Sequence, residues 1–148
     1  MQRALDLHPS FARRMFTDEE RRACEGTARP AEHYAARFAA RRAVLKALGC
    51  SFGGGIGRKS VSVGHLENGR PVVVLEGPIR DVVAERGISE LALSLSITHE
   101  VATAMVLLVT DEVRPKPKEE RDPQQELRAS FKEARSLIDE LERLQEQG

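Results

Sequence analysis

Aromatic residues are scarce in this 148-residue sequence, which has no tryptophan, one tyrosine and five phenylalanines. The hydrophobic content of 41% still allows a modest core, which must then be mostly aliphatic. Only two cysteines are present, Cys24 and Cys50, and they lack metal-ligand spacing. We therefore expect reduced thiols in a cytoplasmic protein. The length predicts one domain, with room for a tail.

An excess of charge of either sign is also missing. Lysine plus arginine and aspartate plus glutamate both total 23, so the net charge gives no argument for nucleic acid or a membrane as a partner. No run approaches the ~20 apolar residues that cross a bilayer, and no signal-peptide pattern opens the sequence. We therefore expect a soluble protein, with neither nucleic acid nor a membrane among its partners.

A helix with both ends marked is the clearest predicted element, at residues 30–49. Pro30 suits the first helical position, and Gly49 suits the left-handed position after the last turn. At about 100° per residue, one arc of this helix collects apolar side chains, those of Ala31, Tyr34, Ala35, Phe38 and Leu45. Arg42 falls inside this arc and Lys46 at its edge. A cation on a buried face is unfavourable unless it is paired.

Arg42 and Lys46 lie one helical turn apart, an arrangement that destabilises an isolated helix by about 0.2–0.5 kcal/mol. An anion with several oxygens, such as phosphate, would bridge the two cations favourably. Alternatively, both long side chains extend from the apolar face into water. The helical pattern alone leaves both interpretations open.

Alternating apolar and polar residues predict four strands, at 59–66, 71–75, 91–97 and 101–110. Asn68 and Gly69 predict a type I′ turn between the first two strands, and a three-residue connection predicts that the last two pair antiparallel. Helices precede these strands and separate the two hairpins, and Thr17 with Glu20 matches a capping box at one helix start. The sequence thus predicts an α+β domain, an antiparallel sheet packed by helices on one side.

The composition changes after this domain, which we place at residues 1–112. Residues 113–123 form a charged, proline-containing linker, and 124–148 predict an amphipathic helix. Apolar residues recur in that helix at alternating steps of four and three, namely Leu127, Phe131, Ala134, Ile138 and Leu141. Such a narrow seam suits self-association or docking on another surface, and packing on its own domain is an equal alternative.

Two loops contain groups that bind ligands in other proteins. The glycine-rich stretch 50–57 offers backbone N–H groups to a phosphate, although it follows a helix and lacks a Walker ending, so a flexible connection is the alternative. His99 lies in a short turn next to Thr98, where it is either a binding group or a solvated polar residue. No Ser/His/Asp order, nucleophile elbow or HExxH motif is present.

Nine short segments between residues 8 and 110 form a recognisable series. They are His8-Pro9-Ser10-Phe11, Arg14-Met15-Phe16-Thr17 with Glu20, 34–40 (YAARFAA), 46–49 (KALG), Gly55-Ile56, Val61-Ser62-Val63, Asn68-Gly69-Arg70-Pro71, Leu75-Glu76-Gly77, and Ser96-Ile97-Thr98-His99 with Ala102 and Ala104. In their order and spacing they resemble the holo-acyl-carrier-protein synthase type of 4′-phosphopantetheinyl transferase. The linker and the terminal helix lie outside the resemblance.

This resemblance implies an α+β fold and a homotrimer with its active site between neighbouring subunits. It also implies a Mg²⁺-dependent transfer that serves fatty acid biosynthesis, in which the phosphopantetheine arm of coenzyme A moves onto a serine of an acyl carrier protein. Lys46 corresponds to the family's active-site lysine, and Thr98 and His99 to the turn that approaches the nucleotide. Arg37, Arg42 and Lys46, with Thr98 and His99, are then the expected coenzyme A ligands.

Two departures concern the metal site of that family, which uses an aspartate on an N-terminal G-x-D-I/L-V strand and a glutamate in a K-E-A triplet. The sequence begins beyond that strand, and its triplet reads Arg41-Arg42-Ala43. Because arginine repels a hard divalent cation, we expect no metal site and absent or strongly reduced Mg²⁺-dependent turnover. Either Arg42 replaces the charge of the metal in a transferase, or the protein is a non-catalytic binder of coenzyme A or of a carrier protein.

Overall fold

The computed structural model describes residues 1–113 and 123–148. In chain order the described elements are α1 (Gln2–Leu7), α2 (Phe11–Met15), α3 (Asp18–Glu25), α4 (Pro30–Ala47), β1 (Val61–His65), β2 (Pro71–Leu75), α5 (Ile79–Glu85), β3 (Ile88–Ile97), β4 (Ala102–Thr110) and α6 (Pro123–Glu146). They divide into two compact units, Met1–Arg114 and Pro115–Gly148. Most of the predicted linker, residues 114–122, lies outside the described residues.

Both predicted ends of α4 are present. Pro30 occupies its first turn, and Gly49 follows it with a φ of 62°. The N–H of Gly49 donates to the Lys46 carbonyl (3.1 Å), and that of Cys50 donates to the Leu45 carbonyl (2.8 Å). This pair of hydrogen bonds is a Schellman motif, in which a left-handed glycine satisfies carbonyls that the helix leaves free. The loop that follows therefore leaves α4 at a fixed angle.

The buried side of α4 differs from the predicted apolar arc. Its buried residues are Tyr34, Ala36, Arg37, Ala40, Arg41, Val44 and Leu45. Arg42 is exposed, so the prediction that it lies on the buried face was wrong. The prediction assigned the buried side from apolar side chains alone. The buried side of α4 in fact contains two arginines, Arg37 and Arg41. Arg41 is 1% exposed and is paired by residues from other elements.

Of the three hydrophobic clusters that include α4 residues, two lie toward its ends. Near its C-terminal end, Val44, Leu45 and Leu48 pack with Val61 of β1 and Ile79 of α5. Near its N-terminal end, Tyr34 packs against residues of α2 and α3 and their connection, namely Met15, Phe16 and Cys24. Burying each of the larger side chains contributes about 1.5–3 kcal/mol. The two clusters fix α4 along its length and hold its exposed side outward.

The strands form two antiparallel pairs, β1 with β2 and β3 with β4. In the first pair His65 lies opposite Pro71, and in the second Ile97 lies opposite Ala102. The predicted α+β class with antiparallel strands is confirmed. The type I′ turn was wrong: Gly69 has a φ of 80° but no other residue type has a positive φ among the described residues. A type I′ turn would also require a positive φ at Asn68.

The hairpin of β3 and β4 has one apolar face turned outward. Met105 and Leu107 of β4 are 63% and 59% exposed. Across the pair, Ser94 lies opposite Met105 and Ala92 lies opposite Leu107. Side chains of a strand alternate between faces, so Ala104 and Val106 turn the other way, toward Ala40 of α4, Val63 and Leu93. The outward face presents large apolar side chains next to small ones.

Candidate functional site

A cavity of about 450 Å³ lies beside the last turns of α4 and is lined by Arg42, Ala43, Leu45, Lys46, Cys50, Ser51 and Phe52. Arg42 and Lys46 are both exposed. As positions i and i+4 of one helix, they extend from the same side of it. The Schellman motif at Gly49 turns the chain back, so that residues 50–52 form the facing wall. Two cations therefore share one concave surface with a half-exposed phenyl ring.

The lining of this cavity suits an anion. It contains two cations, a hydroxyl and apolar carbon, and no carboxylate. A guanidinium and an ammonium one turn apart can donate several charge-assisted hydrogen bonds to a phosphate or diphosphate. A divalent cation such as Mg²⁺ instead requires carboxylate or other oxygen ligands. The residues present here therefore do not fit a metal ion.

The glycine-rich loop after α4 contains a turn closed by backbone hydrogen bonds. Gly53 and Ile56 exchange two backbone hydrogen bonds of 3.1 and 3.0 Å. Three consecutive glycines, residues 53–55, have φ values of 119°, 59° and 90°. Residues with side chains rarely adopt these values, which explains why glycine occupies this tight turn. The phosphate-binding interpretation of this loop stays a prediction.

A second cavity, of about 480 Å³, lies at the other end of α4, where the turn between β3 and β4 meets residues 28–35 and the start of α1. The Nδ1 atom of His99 lies 2.7 Å from Nη1 of Arg29 and 3.1 Å from Oε1 of Glu32. Thr98 holds the turn closed, because its Oγ1 accepts from the Val101 N–H at 3.1 Å. His99 thus remains exposed but contacts Arg29, which precedes α4, and Glu32 of α4.

The structure does not bring the predicted site residues of one chain together. Glu32, which contacts His99, and Lys46 are fourteen residues apart in α4, a separation of about 21 Å along the helix axis. Arg42 and Lys46 line one cavity, and Thr98 and His99 line the other. Within a single chain the two groups cannot contact the same small anion.

Arg37 lines neither cavity. It is 4% exposed, its Nη1 donates to the His33 carbonyl (3.3 Å), and its Nε has no hydrogen-bond partner among the described residues. Burial lowers the pKa of His65, and the nearby charges of Arg37 and His33 lower it further. The predicted role of Arg37 as a coenzyme A ligand therefore gains no support from its position.

Sequence reasoning missed the buried ion pair beneath this site. Arg41 Nη2 lies 3.1 Å from Glu20 Oε2, and both side chains are 1% exposed. Glu20 also completes the capping box of α3 with Thr17, as predicted. The capping pattern identified Glu20 only as a local helix start. Its second role depends on Arg41, twenty-one residues away, and no local pattern connects the two.

Known proteins match this chain over its first unit. Residues 1–104 match the 4′-phosphopantetheinyl transferase superfamily. The chain belongs to this superfamily. A curated relative, the holo-acyl-carrier-protein synthase of Syntrophus aciditrophicus, is 41% identical over 99 residues, which cover 67% of this chain and 77% of the relative. The family resemblance predicted from the nine segments is therefore confirmed.

Solved structures support the same fold. The crystal structure of the Neisseria meningitidis holo-acyl-carrier-protein synthase superposes with a TM-score of 0.65 at 28% identity, covering 74% of this chain and 87% of that one. The ACPS–CoA complex from Chronobacterium ammoniagenes superposes with a TM-score of 0.56 at 28% identity, with the same two coverages. The family match ends at residue 104, so α6 lies outside it.

The described part of the chain lacks both a membrane-spanning helix and a cluster of metal-ligating side chains. Across residues 1–113 and 123–148, no helix is both long and apolar enough to cross a bilayer. The same residues contain no group of three or more His, Cys, Asp or Glu side chains that could hold a metal ion. The chemistry of the Arg42 cavity, rather than this absence, is what disagrees with a magnesium site.

Proposed function

We propose that this chain acts on coenzyme A and an acyl carrier protein, moving 4′-phosphopantetheine from the first onto a serine of the second. Its membership of the superfamily and its 41% identity to a holo-acyl-carrier-protein synthase support this function. The ACPS–CoA complex, at 28% identity, supports coenzyme A as the ligand. An acyl carrier protein is proposed as the acceptor because the relatives are named holo-acyl-carrier-protein synthases.

The diphosphate of coenzyme A would lie against Arg42 and Lys46, the observation on which this proposal rests. Both cations are exposed in one cavity, and neither has a partner among the described residues that would compete with a ligand. Phe52 and Leu45 offer apolar contact to a neighbouring part of the ligand. Lys46 is also the position that matches the family's active-site lysine.

Transfer joins the serine oxygen of the carrier to a phosphorus of the diphosphate and breaks the bond from that phosphorus to the adenosine-bearing phosphate. Negative charge spreads over the oxygens during this exchange, and nearby cations stabilise it. Arg42 supplies a permanent positive charge and two parallel donors. It cannot accept the serine proton, which must pass to water or to the departing phosphate, so we expect turnover that is slow and independent of Mg²⁺.

A homotrimer, with each site between two subunits, would unite the two halves of the candidate site. The turn at His99 of one subunit would approach Lys46 of its neighbour. A single chain cannot arrange this, because Glu32, which His99 contacts, lies about 21 Å from Lys46 along α4. The outward face at Met105 and Leu107 supports such an association, since exposed apolar patches mark interaction surfaces.

A second candidate function is non-catalytic binding of coenzyme A or of a carrier protein. The feature that favours it is Arg42 itself, which by the family resemblance takes the place of the glutamate in the K-E-A triplet. A cation there can hold a diphosphate but offers no coordination site for a metal. In that case the cavity would bind its ligand without changing it.

One experiment separates these functions. The protein is incubated with coenzyme A and an apo acyl carrier protein, in Mg²⁺ or in EDTA, and the carrier is weighed by mass spectrometry over time. A slow gain of the phosphopantetheine mass, equal in both conditions, is the expected result. No gain, together with coenzyme A binding, would favour the non-catalytic binder. A rapid gain that requires Mg²⁺ would overturn the role given to Arg42.

A further inference from the structure

The helix α6 is the part of the chain that the proposed function does not use. Its 24 residues extend for about 36 Å, and it lies outside the residues that match the superfamily. Large apolar side chains more than half exposed follow one side of it, those of Leu127, Phe131, Leu137, Ile138, Leu141 and Leu144. A helix of this kind gains most of its stability by packing that side against a partner.

The charges of α6 are divided between its two ends. Residues 123–135 contain three cations, Arg128, Lys132 and Arg135, against two carboxylates, whereas residues 136–148 contain four carboxylates against the single cation Arg143. Two such helices placed side by side in parallel would bring like ends together. Placed antiparallel, the basic end of each lies beside the acidic end of the other.

We propose that α6 pairs antiparallel with α6 of a second copy of this chain. The seam of alternating four- and three-residue steps defines the contact side, and the fullest overlap of its apolar residues favours one register. With Ala134 of one copy beside Ile138 of the other, Phe131 lies beside Leu141, and the same two layers recur on the far side of the two-fold axis. Each layer then places residues of different size together, an arrangement that favours close packing.

Arg128 and Glu142 provide the electrostatic contact in this register. Each directly follows a seam residue, Leu127 or Leu141, so each flanks the interface on the same side of its helix. Antiparallel pairing brings Arg128 of one copy beside Glu142 of the other, twice in each dimer. The two Arg135 side chains approach each other near the axis, where Asp139, one turn along each helix, offsets their charge.

Other arrangements of the apolar side of α6 would make different contacts. In a parallel pair, residues that directly follow a seam position, such as Arg128, face residues of the other helix that directly precede one. Those preceding residues are Ser130 and Leu137, which are uncharged. Docking of α6 on its own domain would make no contact between copies. Arg128 and Glu142 are also fourteen residues apart, about 21 Å along one helix, so they cannot interact within a single α6.

The first test measures the mass of the full chain by sedimentation equilibrium over a range of concentrations. Ile138→Asp places a carboxylate in the seam, and Ser136→Asp places the same group on the opposite side of the helix. The wild type and Ser136→Asp should associate equally, and Ile138→Asp should weaken association by about a hundredfold. Equal masses for the wild type and Ile138→Asp at every concentration would overturn the proposal.

The second test exchanges the flanking charges. Arg128→Glu and Glu142→Arg each create two like-charged contacts per antiparallel dimer, so each should weaken association roughly tenfold. The double variant restores two attractive contacts and should recover the wild-type association. Arginine and glutamate have similar helix propensities, so loss of the helix does not explain a change. Single variants without effect, or a double variant no better than either, would overturn the antiparallel pairing.

Discussion

The guanidinium of Arg41 lies 3.1 Å from a carboxylate oxygen of Glu20, with both side chains almost completely buried. Arg41 also donates to the carbonyls of Met15 and Val61 and lies over the Phe16 ring, 5.0 Å from its centre. One side chain of α4 therefore contacts the end of α2, the start of α3 and the start of β1. This network holds α4 with its neighbouring residue, Arg42, turned toward the cavity.

Breaking this pair should destabilise the fold far more than removing the adjacent arginine. Arg41→Met leaves Glu20 buried with an uncompensated charge, so we expect the free energy of unfolding to fall by about 3–5 kcal/mol. Arg42→Met changes an exposed side chain and should stay within about 0.5 kcal/mol of the wild type. Urea unfolding measures both. Equal losses would contradict the assignment of Arg41, rather than Arg42, to the buried side.

Alkaline pH should weaken the fold through a buried thiol. Burial raises the pKa of Cys24 to about 11, whereas an unfolded thiol titrates near 8.5. Above about pH 8.5 the unfolded chain holds fewer protons than the folded one, so the free energy of unfolding falls as pH rises, by up to about 1.4 kcal/mol per unit. Below the pKa of the unfolded thiol, the contribution of Cys24 to the free energy of unfolding is fully present.

Urea unfolding at pH 8, 9 and 10 tests this sign. The decline should be shallower in Cys24→Ala and unchanged in Cys50→Ala, which is the matched control. Slopes are compared, because Cys24→Ala also alters packing. Tyr34, whose pKa is raised by burial and by its hydrogen bond to Glu25, adds to the decline as the pH approaches about 10, where an unfolded tyrosine ionises. An identical slope in all three proteins would contradict the buried-thiol explanation.

Sites shared between subunits should be recoverable from two defective variants. Lys46→Ala and His99→Ala should each bind coenzyme A weakly. When the two are unfolded and refolded together, a site with an intact Lys46 from one subunit and an intact His99 from its neighbour forms in roughly a quarter of the positions. Calorimetry measures the fraction of recovered sites.

A control mixture uses Lys46→Ala with the double variant Lys46→Ala/His99→Ala, which can form no intact site. Recovery in the first mixture and none in the second is the expected pattern. If neither mixture recovers binding, Lys46 and His99 do not serve one ligand, and the homotrimeric site is contradicted.

The parts of this fold that local chemistry determines were predictable from the sequence. Pro30 and Gly49 mark the ends of α4, and Thr17 with Glu20 marks the start of α3, because capping involves residues within one turn. The buried side of α4 was not predictable in the same way. Arg41 can be buried only because Glu20 and two backbone carbonyls reach it from distant parts of the chain.

The candidate site also has parts that were predictable from the sequence and parts that were not. Helical spacing places Arg42 and Lys46 on one side of α4, and both line one cavity. Their binding of an anion stays a prediction, and the sequence assigned Arg42 to the wrong side of the helix. The contact of His99 with Arg29 and Glu32 joins residues about seventy positions apart. A short turn predicts only that His99 is accessible, so its partners required the folded chain.

Coenzyme A binding with and without a chelator tests most directly whether Arg42 and Lys46 replace a metal ion. Calorimetry should give the same affinity in Mg²⁺ and in EDTA, because the two cations hold the diphosphate by themselves. Arg42→Ala and Lys46→Ala should each weaken binding about 10- to 100-fold, the value of a charge-assisted hydrogen bond, while Arg22→Ala, an exposed arginine of α3, should not. A large loss of affinity in EDTA would contradict the replacement of metal by arginine.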